Sequence, residues 1–340
     1  MGLKKAVLKM SMYLLLLYLV VLPHGGRAGD NQSGCDSPEV VRVTEEAVDQ
    51  MNQDRTQGYI LGFNRLYDFS HTPGKNKGEH LYKLNIDVIE TECHVISRKP
   101  WKQCDIRGLD SVPVYGECQV SVYVDTQVRL QSYSCALREV PGTEVLDACP
   151  DCPMAENVSE PVIKDIARLS LLRFNEENHS DHFFKLENIT RASLQWVVGP
   201  SYFVEFTIIK TCCSKKTEVG EVDNCPPMDR HFAHRGFCWS SHTEDVDDGG
   251  IRFTVGKDFQ KRKIVDVKCE IFEPQHHDQT ELIPCERINS TRPAASQGVS
   301  MARGLLGSVI DQPASPRSAP LARSCPGSRR HDLGLSKLKL

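Results

Sequence analysis

The sequence predicts an α+β chain of two tandem domains, each a single helix packed on an antiparallel sheet, followed by a disordered C-terminal tail. Three observations predict it. The order helix, strand, turn, strand occurs twice. A four-cysteine pattern also occurs twice, with glycine two residues before the third cysteine in each copy, at Gly116 and Gly236. Beyond Pro274 apolar periodicity is lost and Pro, Ala, Ser, Gly and Arg dominate. A helix with one apolar face followed by strands is the arrangement in which helix and sheet bury each other.

The chain opens with Lys4, Lys5 and Lys9, then an apolar run from Met10 to Leu22 broken only by Ser11, then Gly25-Gly26-Arg27-Ala28. This is the layout of a cleaved secretory leader over residues 1–28, ending at Ala28. The run is shorter than the roughly 20 residues a membrane-spanning helix needs, and no later stretch is apolar enough to span. The first domain is expected over 29–148. Ser37-Pro38-Glu39 reads as a helix start with a capping hydroxyl and a proline in the first turn. Val40, Thr44, Ala47, Val48 and Met51 then share one helical face. Gly58 ends that pattern, Tyr59 to Tyr67 reads as a strand, and Leu81 to His94 follows after a loop containing Pro73, Gly74 and Gly78. The second domain, expected over 159–275, repeats this. Pro161 opens a helix whose apolar face is Ile163, Ile166, Ala167, Ser170, Leu171 and Phe174, and strands follow at Phe183 to Ile189 and Tyr202 to Thr211. The tail over 276–340 carries, from Arg287 onward, nine Lys and Arg against two acidic residues, a composition that favours a solvated, locally basic, disordered segment.

All fourteen cysteines lie downstream of the leader. An exported chain meets oxidising conditions, in which cysteines pair. Cys93, Cys104, Cys118 and Cys135 match Cys212, Cys225, Cys238 and Cys269, so the repeat suggests the pairs Cys93–Cys104, Cys118–Cys135, Cys212–Cys225 and Cys238–Cys269. Cys149 with Cys152 closes a small ring, and Cys35 with Cys325 ties the tail to the first domain. This leaves Cys213 and Cys285 to pair with each other, or Cys213 to stand in place of Cys212. Sequons at Asn31, Asn157, Asn178, Asn188 and Asn289 agree with export and mark surface segments. A net charge of -4 argues against nucleic acid as a partner.

Between the halves, over 149–158, runs Cys149-Pro150-Asp151-Cys152-Pro153. Proline fixes its own φ and biases the preceding residue toward extended backbone, so the segment is expected to be a stiff protrusion. Closed as a disulfide ring it holds Asp151 at its tip. A redox Cys-x-x-Cys needs its first cysteine at a helix start after a strand, and a structural zinc site needs a second cysteine pair at suitable spacing. Neither condition is met.

The tandem helix-and-sheet plan and the cysteine pairs resemble the cystatin superfamily and, within it, the fetuins, over roughly Cys35 to Pro274 and again at Cys325-Pro326-Gly327. The strings that carry the resemblance are Asp87-Val88-Ile89-Glu90-Thr91-Glu92-Cys93-His94-Val95, the central Cys149 to Pro153, and Arg191 through Glu205 with its Gln195-Trp196-Val197-Val198-Gly199-Pro200 turn. The tail is shorter than is usual in fetuins, and Cys213 and Cys285 are additional. The resemblance implies a secreted, monomeric, glycosylated inhibitor of astacin-family zinc metalloproteinases such as the egg protease ovastacin, whose premature action hardens the egg coat and blocks fertilisation. A catalytic zinc keeps one coordination position for water. By resemblance, the ring enters the protease cleft, Asp151 fills that position with a carboxylate oxygen, and the Gln195–Pro200 turn grips the flank, with Trp196 as an aromatic anchor.

Two other functions compete. The Gln-x-Val-x-Gly turn also fits the loop with which cystatins plug papain-like cysteine proteases, but no Pro-Trp hairpin follows Cys238. Fetuins also bind calcium phosphate through acidic residues on a sheet, and Asp87, Glu90 and Glu92 are candidates. Strand alternation, however, puts Asp87 on the face opposite the other two. No His-Glu-x-x-His helix, Gly-x-Ser-x-Gly elbow or phosphate-cradling glycine loop occurs, so the chain is not expected to be an enzyme or to need a cofactor.

Overall fold

The computed structural model describes residues 34–76, 78–197, 199–216, 222, 224–230, 232–243, 265–274, 285, 302–313 and 316–333. The expected leader and the sequons at Asn31 and Asn289 lie outside them. Helix α1 (Pro38–Asp54) begins with proline in its first turn, where a missing N–H costs no helical hydrogen bond. Ser37 occupies the capping position, but its hydroxyl is buried and makes no capping bond. The expected hydroxyl cap is therefore corrected, and proline pre-organisation starts the helix. Val40, Val43, Thr44, Ala47, Val48 and Met51 form its buried face. They pack onto strands β1 (Tyr59–Pro73), β2 (His80–His94), β3 (Val114–Val124) and β4 (Val128–Glu139), an antiparallel meander. Each fully buried aliphatic side chain there contributes about 1.5–3 kcal/mol.

A short helix α2 (Gly142–Ala148) and a two-residue strand β5 (Met154–Ala155) form the joint. The second half then repeats the plan with helix α3 (Pro161–Glu177) and strands β6 (His182–Trp196), β7 (Pro200–Ser214), β8 (Arg235–Thr243) and β9 (Asp266–Phe272). Its sheet has the order β5-β6-β7-β8-β9. The first strand of each domain runs past its expected end. Beyond Tyr67 and Ile189 apolar content falls, yet backbone pairing with the neighbouring strand continues to Pro73 and Trp196.

The repeat extends to atomic detail. β1 shifts register between Tyr59 and Leu61, Phe63 and Arg65, and Leu66 and Asp68. β6 does so between His182 and Phe184, Leu186 and Asn188, and Ile189 and Arg191, the same three places at one constant offset. Such bulges sharpen the local twist and bend the strand around its helix. Each helix also ends in a buried asparagine clamp. Asn52 Nδ2 donates to Leu61 O at 2.8 Å while its Oδ1 accepts from Leu61 N at 2.9 Å, and Asn175 makes the same pair with Phe184 at 2.8 and 2.9 Å. The two paired glycines sit in crowded places, and at Gly116 the neighbour is backbone. A Cβ at Gly116 would lie 2.3 Å from Ala136 O, and one at Gly236 would lie 2.6 Å from Ile271 Cδ1.

The structure contains the disulfides Cys35–Cys325, Cys93–Cys104, Cys118–Cys135, Cys149–Cys152 and Cys238–Cys269. The expected Cys212–Cys225 pair is replaced by Cys213–Cys225, and Cys212 joins Cys285. The reason is register. Thr91 Oγ1 donates to Ile60 O and accepts from Cys93 N, and Thr211 Oγ1 does the same with Phe183 O and Cys213 N. Cys213 is thus the counterpart of Cys93, and Cys212 stands where the first domain has Glu92. Neighbouring strand residues point to opposite faces, so Cys212 cannot share Cys213's partner.

Two stretches of the compositionally biased tail belong to the first domain and are not disordered. Strands β10 (Ala302–Arg303) and β11 (Gly307–Asp311) extend its sheet, β11 pairing parallel to β4 from Tyr133 to Leu137. Residues 316–333 then cross the outer face. Arg317 bonds Asp87 at 2.6 Å and Glu117 at 2.5 Å with its guanidinium 4.3 Å from the Tyr67 ring centroid, Leu321 N and Ala322 N donate to Asp68, and Arg330 bonds Glu45 at 2.6 Å. Composition concealed this order, because it rests on a short backbone ladder, single arginine and backbone contacts and one disulfide and not on apolar periodicity.

Replacing Asn52 or Asn175 by alanine leaves one buried N–H and one buried C=O unpaired, so each variant is expected to lose about 1–3 kcal/mol of unfolding free energy in a urea titration. Loss of less than a few tenths would dismiss the clamps. Peptide mass spectrometry of the unreduced chain is expected to recover Cys212 linked to Cys285, and a Cys212–Cys225 peptide would overturn the register argument.

Candidate functional site

The two domains meet through a buried cluster around Tyr59, the first residue of β1. Arg107, from the loop between β2 and β3, is only 1 % exposed and forms a two-pronged pair with Glu205 of β7 at 2.8 and 3.0 Å. In the opposite sense, Arg191 of β6 bonds Glu90 of β2 at 2.5 Å. The Tyr59 ring faces both guanidiniums, at 4.6 and 5.0 Å from its centroid. Its hydroxyl donates to Glu205 and bonds Thr190. Burial, then the Glu205 charge, push the Tyr59 phenol well above its ordinary pKa. For Arg107, burial alone would favour loss of the proton, but Glu205 beside it holds the guanidinium charged. Phe237 of β8 packs against Tyr59 and stacks on His94, with ring centroids 5.7 and 5.2 Å apart. Burial, with Arg235 and Arg55 adding to it, pushes the His94 imidazole down to about 3.

The cysteine ring hangs from both sides of this junction. On the first-domain side, Cys149 N donates to Val145 O at 2.8 Å, and Val145 is buried with Val140 in a small cluster joined by Leu109, Tyr115, Cys152 and the tail residue Leu333. On the second-domain side, β5 pairs antiparallel with β6, Met154 opposite Leu194 and Ala155 opposite Ser193, and Glu156 N donates to Ala192 O at 2.9 Å. Within the ring Cys152 N donates to Cys149 O at 3.1 Å. Pro150 and Asp151 are exposed, the two cysteines are half-buried and Pro153 is buried. The ring thus presents one carboxylate on a short tip held at both ends.

The β6–β7 hairpin closes at Trp196 opposite Pro200, over a loop of three residues. Trp196 and Val197 are 60 and 58 % exposed, whereas Gly199 and Pro200 are buried and shape the turn. Val198 lies outside the described residues. Gln195 Nε2 donates to Asp151 O at 2.7 Å, so two motifs 44 residues apart in sequence form one surface. Sequence reasoning missed Leu146 and Met154, exposed apolar residues beside the ring. It also missed the Arg107, Glu205, Arg191 and Tyr59 cluster: Arg191 and Glu205 bound a string read for its family resemblance, but nothing local marks any of the four as a partner of the others.

The other candidates fall elsewhere. Asp87 is buried between Arg65 and Arg317, and Glu90 is buried against Arg191. Burial, the largest influence on the half-buried Glu92 carboxyl, raises its pKa. Asn157 and Asn188 are exposed, and Asn188 borders a cleft of about 640 Å³ between the domains. Asn178 is the half-buried C-cap of α3. Among the described residues no group of three or more His, Cys, Asp or Glu is arranged to hold a metal ion, and no helix is long and apolar enough to cross a membrane.

A family model for the cystatin domain matches residues 152–246. Fetuin-B of Rattus norvegicus is 32% identical over 289 residues, 82% of this chain and 72% of that protein. Fetuin-B of Homo sapiens is 34% identical over 247 residues, 71% of this chain and 59% of that protein. Among solved structures, mouse fetuin-B in complex with crayfish astacin matches with a TM-score of 0.56 and 33% identity, over 71% of this chain and 73% of that one. The inhibitory complex of human meprin beta with mouse fetuin-B matches with a TM-score of 0.62 and 28% identity, over 88% of this chain and 97% of that one.

Glu205→Ala strands the buried Arg107 charge and is expected to cost about 3–5 kcal/mol in chemical denaturation. A cost below about 1 kcal/mol would show that the pair does not hold the junction. His94 binds a proton more weakly when folded than its ordinary pKa of about 6.5, so its contribution to stability falls as pH drops from about 6.5 toward 3. A His94→Phe variant, which keeps the stacking ring, is expected to flatten that part of the stability profile. An unchanged slope would exclude His94 as its source.

Proposed function

The chain belongs to the fetuin family, and from that premise we propose that it is a secreted inhibitor of astacin-type zinc metalloproteinases, with Asp151 as the residue that caps the target's zinc. The observation that carries the reading is the pairing of the exposed Asp151 tip with the exposed Trp196–Val197 turn on one surface, joined through Gln195. A carboxylate oxygen is a ligand suited to the position a catalytic zinc reserves for water, and occupying it displaces the nucleophile. Trp196, with Val197, supplies a large apolar contact of the type that dominates interface energies. Pro150 and Pro153 deny the ring two backbone donors, which opposes the extended pairing a scissile segment needs.

Relatives named fetuin-B form complexes with crayfish astacin and with human meprin beta, and this supports the class of target. The fetuin resemblance extends the proposal to an ovastacin-like egg protease and to protection of the egg coat from early hardening. Secretion is supported by the absence of free cysteine, as expected for an oxidising compartment. Papain-type inhibition through the Gln195–Gly199 loop has less support, since the Gln195 side chain is turned onto the ring. Mineral binding through Asp87 and Glu90 has less support too, because both are neutralised by arginine.

Asp151→Ala is expected to weaken inhibition of crayfish astacin by about 30- to 1,000-fold, the range of an interface hot spot, while leaving the urea midpoint unchanged. Trp196→Ala is expected to cost about tenfold or more. Undiminished inhibition by the first variant would remove the zinc-capping role, and undiminished inhibition by the second would remove the anchor. Inhibition of papain at the same concentrations would favour the cysteine-protease reading.

A further inference from the structure

We propose that Gln195 is a positioning residue for Asp151, a brace that belongs to the inhibitor's own architecture and not to its contact with the protease. This rests on the reading of the ring as the inhibitory tip. A short ladder stitches the joint to the second domain. Ala155 opposes Ser193 and Met154 opposes Leu194. Continued by one residue, the register would set Pro153 opposite Gln195, and by two it would set Cys152 opposite Trp196, but the Cys152 N–H is turned to Cys149 O within the ring, and the strand ends at Met154. The Gln195 side chain takes over where the backbone stops. Its amide reaches past Pro153 to the carbonyl of Asp151, 2.7 Å away.

The consequence is mechanical. The disulfide fixes the shape of the ring, but only its neighbours fix where the ring points. On the first-domain side it is held at Cys149 and Cys152, and on the second-domain side the last backbone contact is at Met154. The carbonyl that Gln195 holds belongs to the residue whose carboxylate is to be presented, so the brace acts on that residue's own backbone. It also makes the tip and the Trp196–Val197 turn move together, since Trp196 follows Gln195 in β6. Preorganisation of this kind raises affinity by lowering the ordering cost of binding without adding a contact.

The test uses the full-length, disulfide-intact chain in a double-mutant cycle. Gln195→Ala is expected to weaken inhibition of crayfish astacin by about 3- to 10-fold, the net worth of one hydrogen bond. In an Asp151→Ala background the same change is expected to shift inhibition by less than about twofold, because the group being positioned is gone. In the free chain, amide hydrogen exchange at Asp151, Cys152 and Met154 is expected to accelerate in Gln195→Ala while exchange in α3 stays unchanged. Equal losses in both backgrounds would make Gln195 a direct protease contact and overturn the proposal, as would unchanged exchange in the ring. A wild-type chain that leaves astacin active would sink the inhibitory reading, while the exchange arm still decides whether the brace exists.

Discussion

Two charge pairs of opposite sense, buried across the domain junction, set the geometry on which the rest depends. Arg107 of the first domain meets Glu205 of the second, and Arg191 of the second meets Glu90 of the first, with Tyr59 between the guanidiniums. Buried ion pairs add little net stability relative to apolar packing, because desolvation offsets most of their attraction. Their effect on orientation is larger. Any other angle between the domains leaves an arginine or a glutamate out of water and without its counter-charge, at a cost of several kcal/mol for each. Reciprocity doubles that penalty, so one relative orientation is selected. A ring anchored to one domain and stitched to the other then points in one direction.

The halves have kept the physics of their cores and diverged at their edges. Each retains a helix ending in an asparagine clamp, a first strand bulged at three equivalent places, and a threonine that receives the amide of the cysteine two residues on. These features serve buried backbone groups, which must find partners wherever the fold hides them. The edges obey no such rule. β4 of the first domain is covered by β11, and β6 of the second is covered by β5, the strand that carries the ring. Using a sheet edge as the mount for the ring supplies it with directional backbone bonds.

Much of this was legible in the sequence, for identifiable reasons. Helical faces such as Val40 to Met51 are local and periodic, and the cysteine repeat reports spacing, so fold class and most disulfides could be read. The misassigned pair shows the limit of spacing alone. Aligning Cys93 with Cys212 matched cysteine to cysteine, whereas aligning Thr91 with Thr211 would have shown Cys213 as the true counterpart. The two ordered stretches of the tail were missed for another reason. Beside the short β11 ladder, their order comes from arginines that find Asp87, Glu117 and Glu45, partners 200 or more residues away, and composition does not encode such contacts. The junction cluster was invisible because Arg107 and Tyr59 sit in no motif, and Glu205, though it closes the Arg191–Glu205 string, gains its role only when the two sheets meet.

Of the candidate site, the residue types were readable and their union was not. The Cys-Pro-Asp-Cys-Pro ring and the Gln-Trp-Val-Val-Gly turn each suggest a protruding element, but nothing in either string places them together. That follows from β5, two residues long and too short to leave a periodic signal, whose pairing with β6 brings Asp151 beside Gln195. The backbone donors of the ring then have two consequences at once. Cys152 N is spent on Cys149 O and not on β6, so the ring stands clear of the sheet instead of merging with it. Pro150 and Pro153 lack the N–H groups that an extended substrate would offer to a protease. A segment whose donors are turned inward or missing is poorly suited to pairing with the sheet edge of an enzyme. The closed backbone that frees the tip to reach a metal also opposes its being cut.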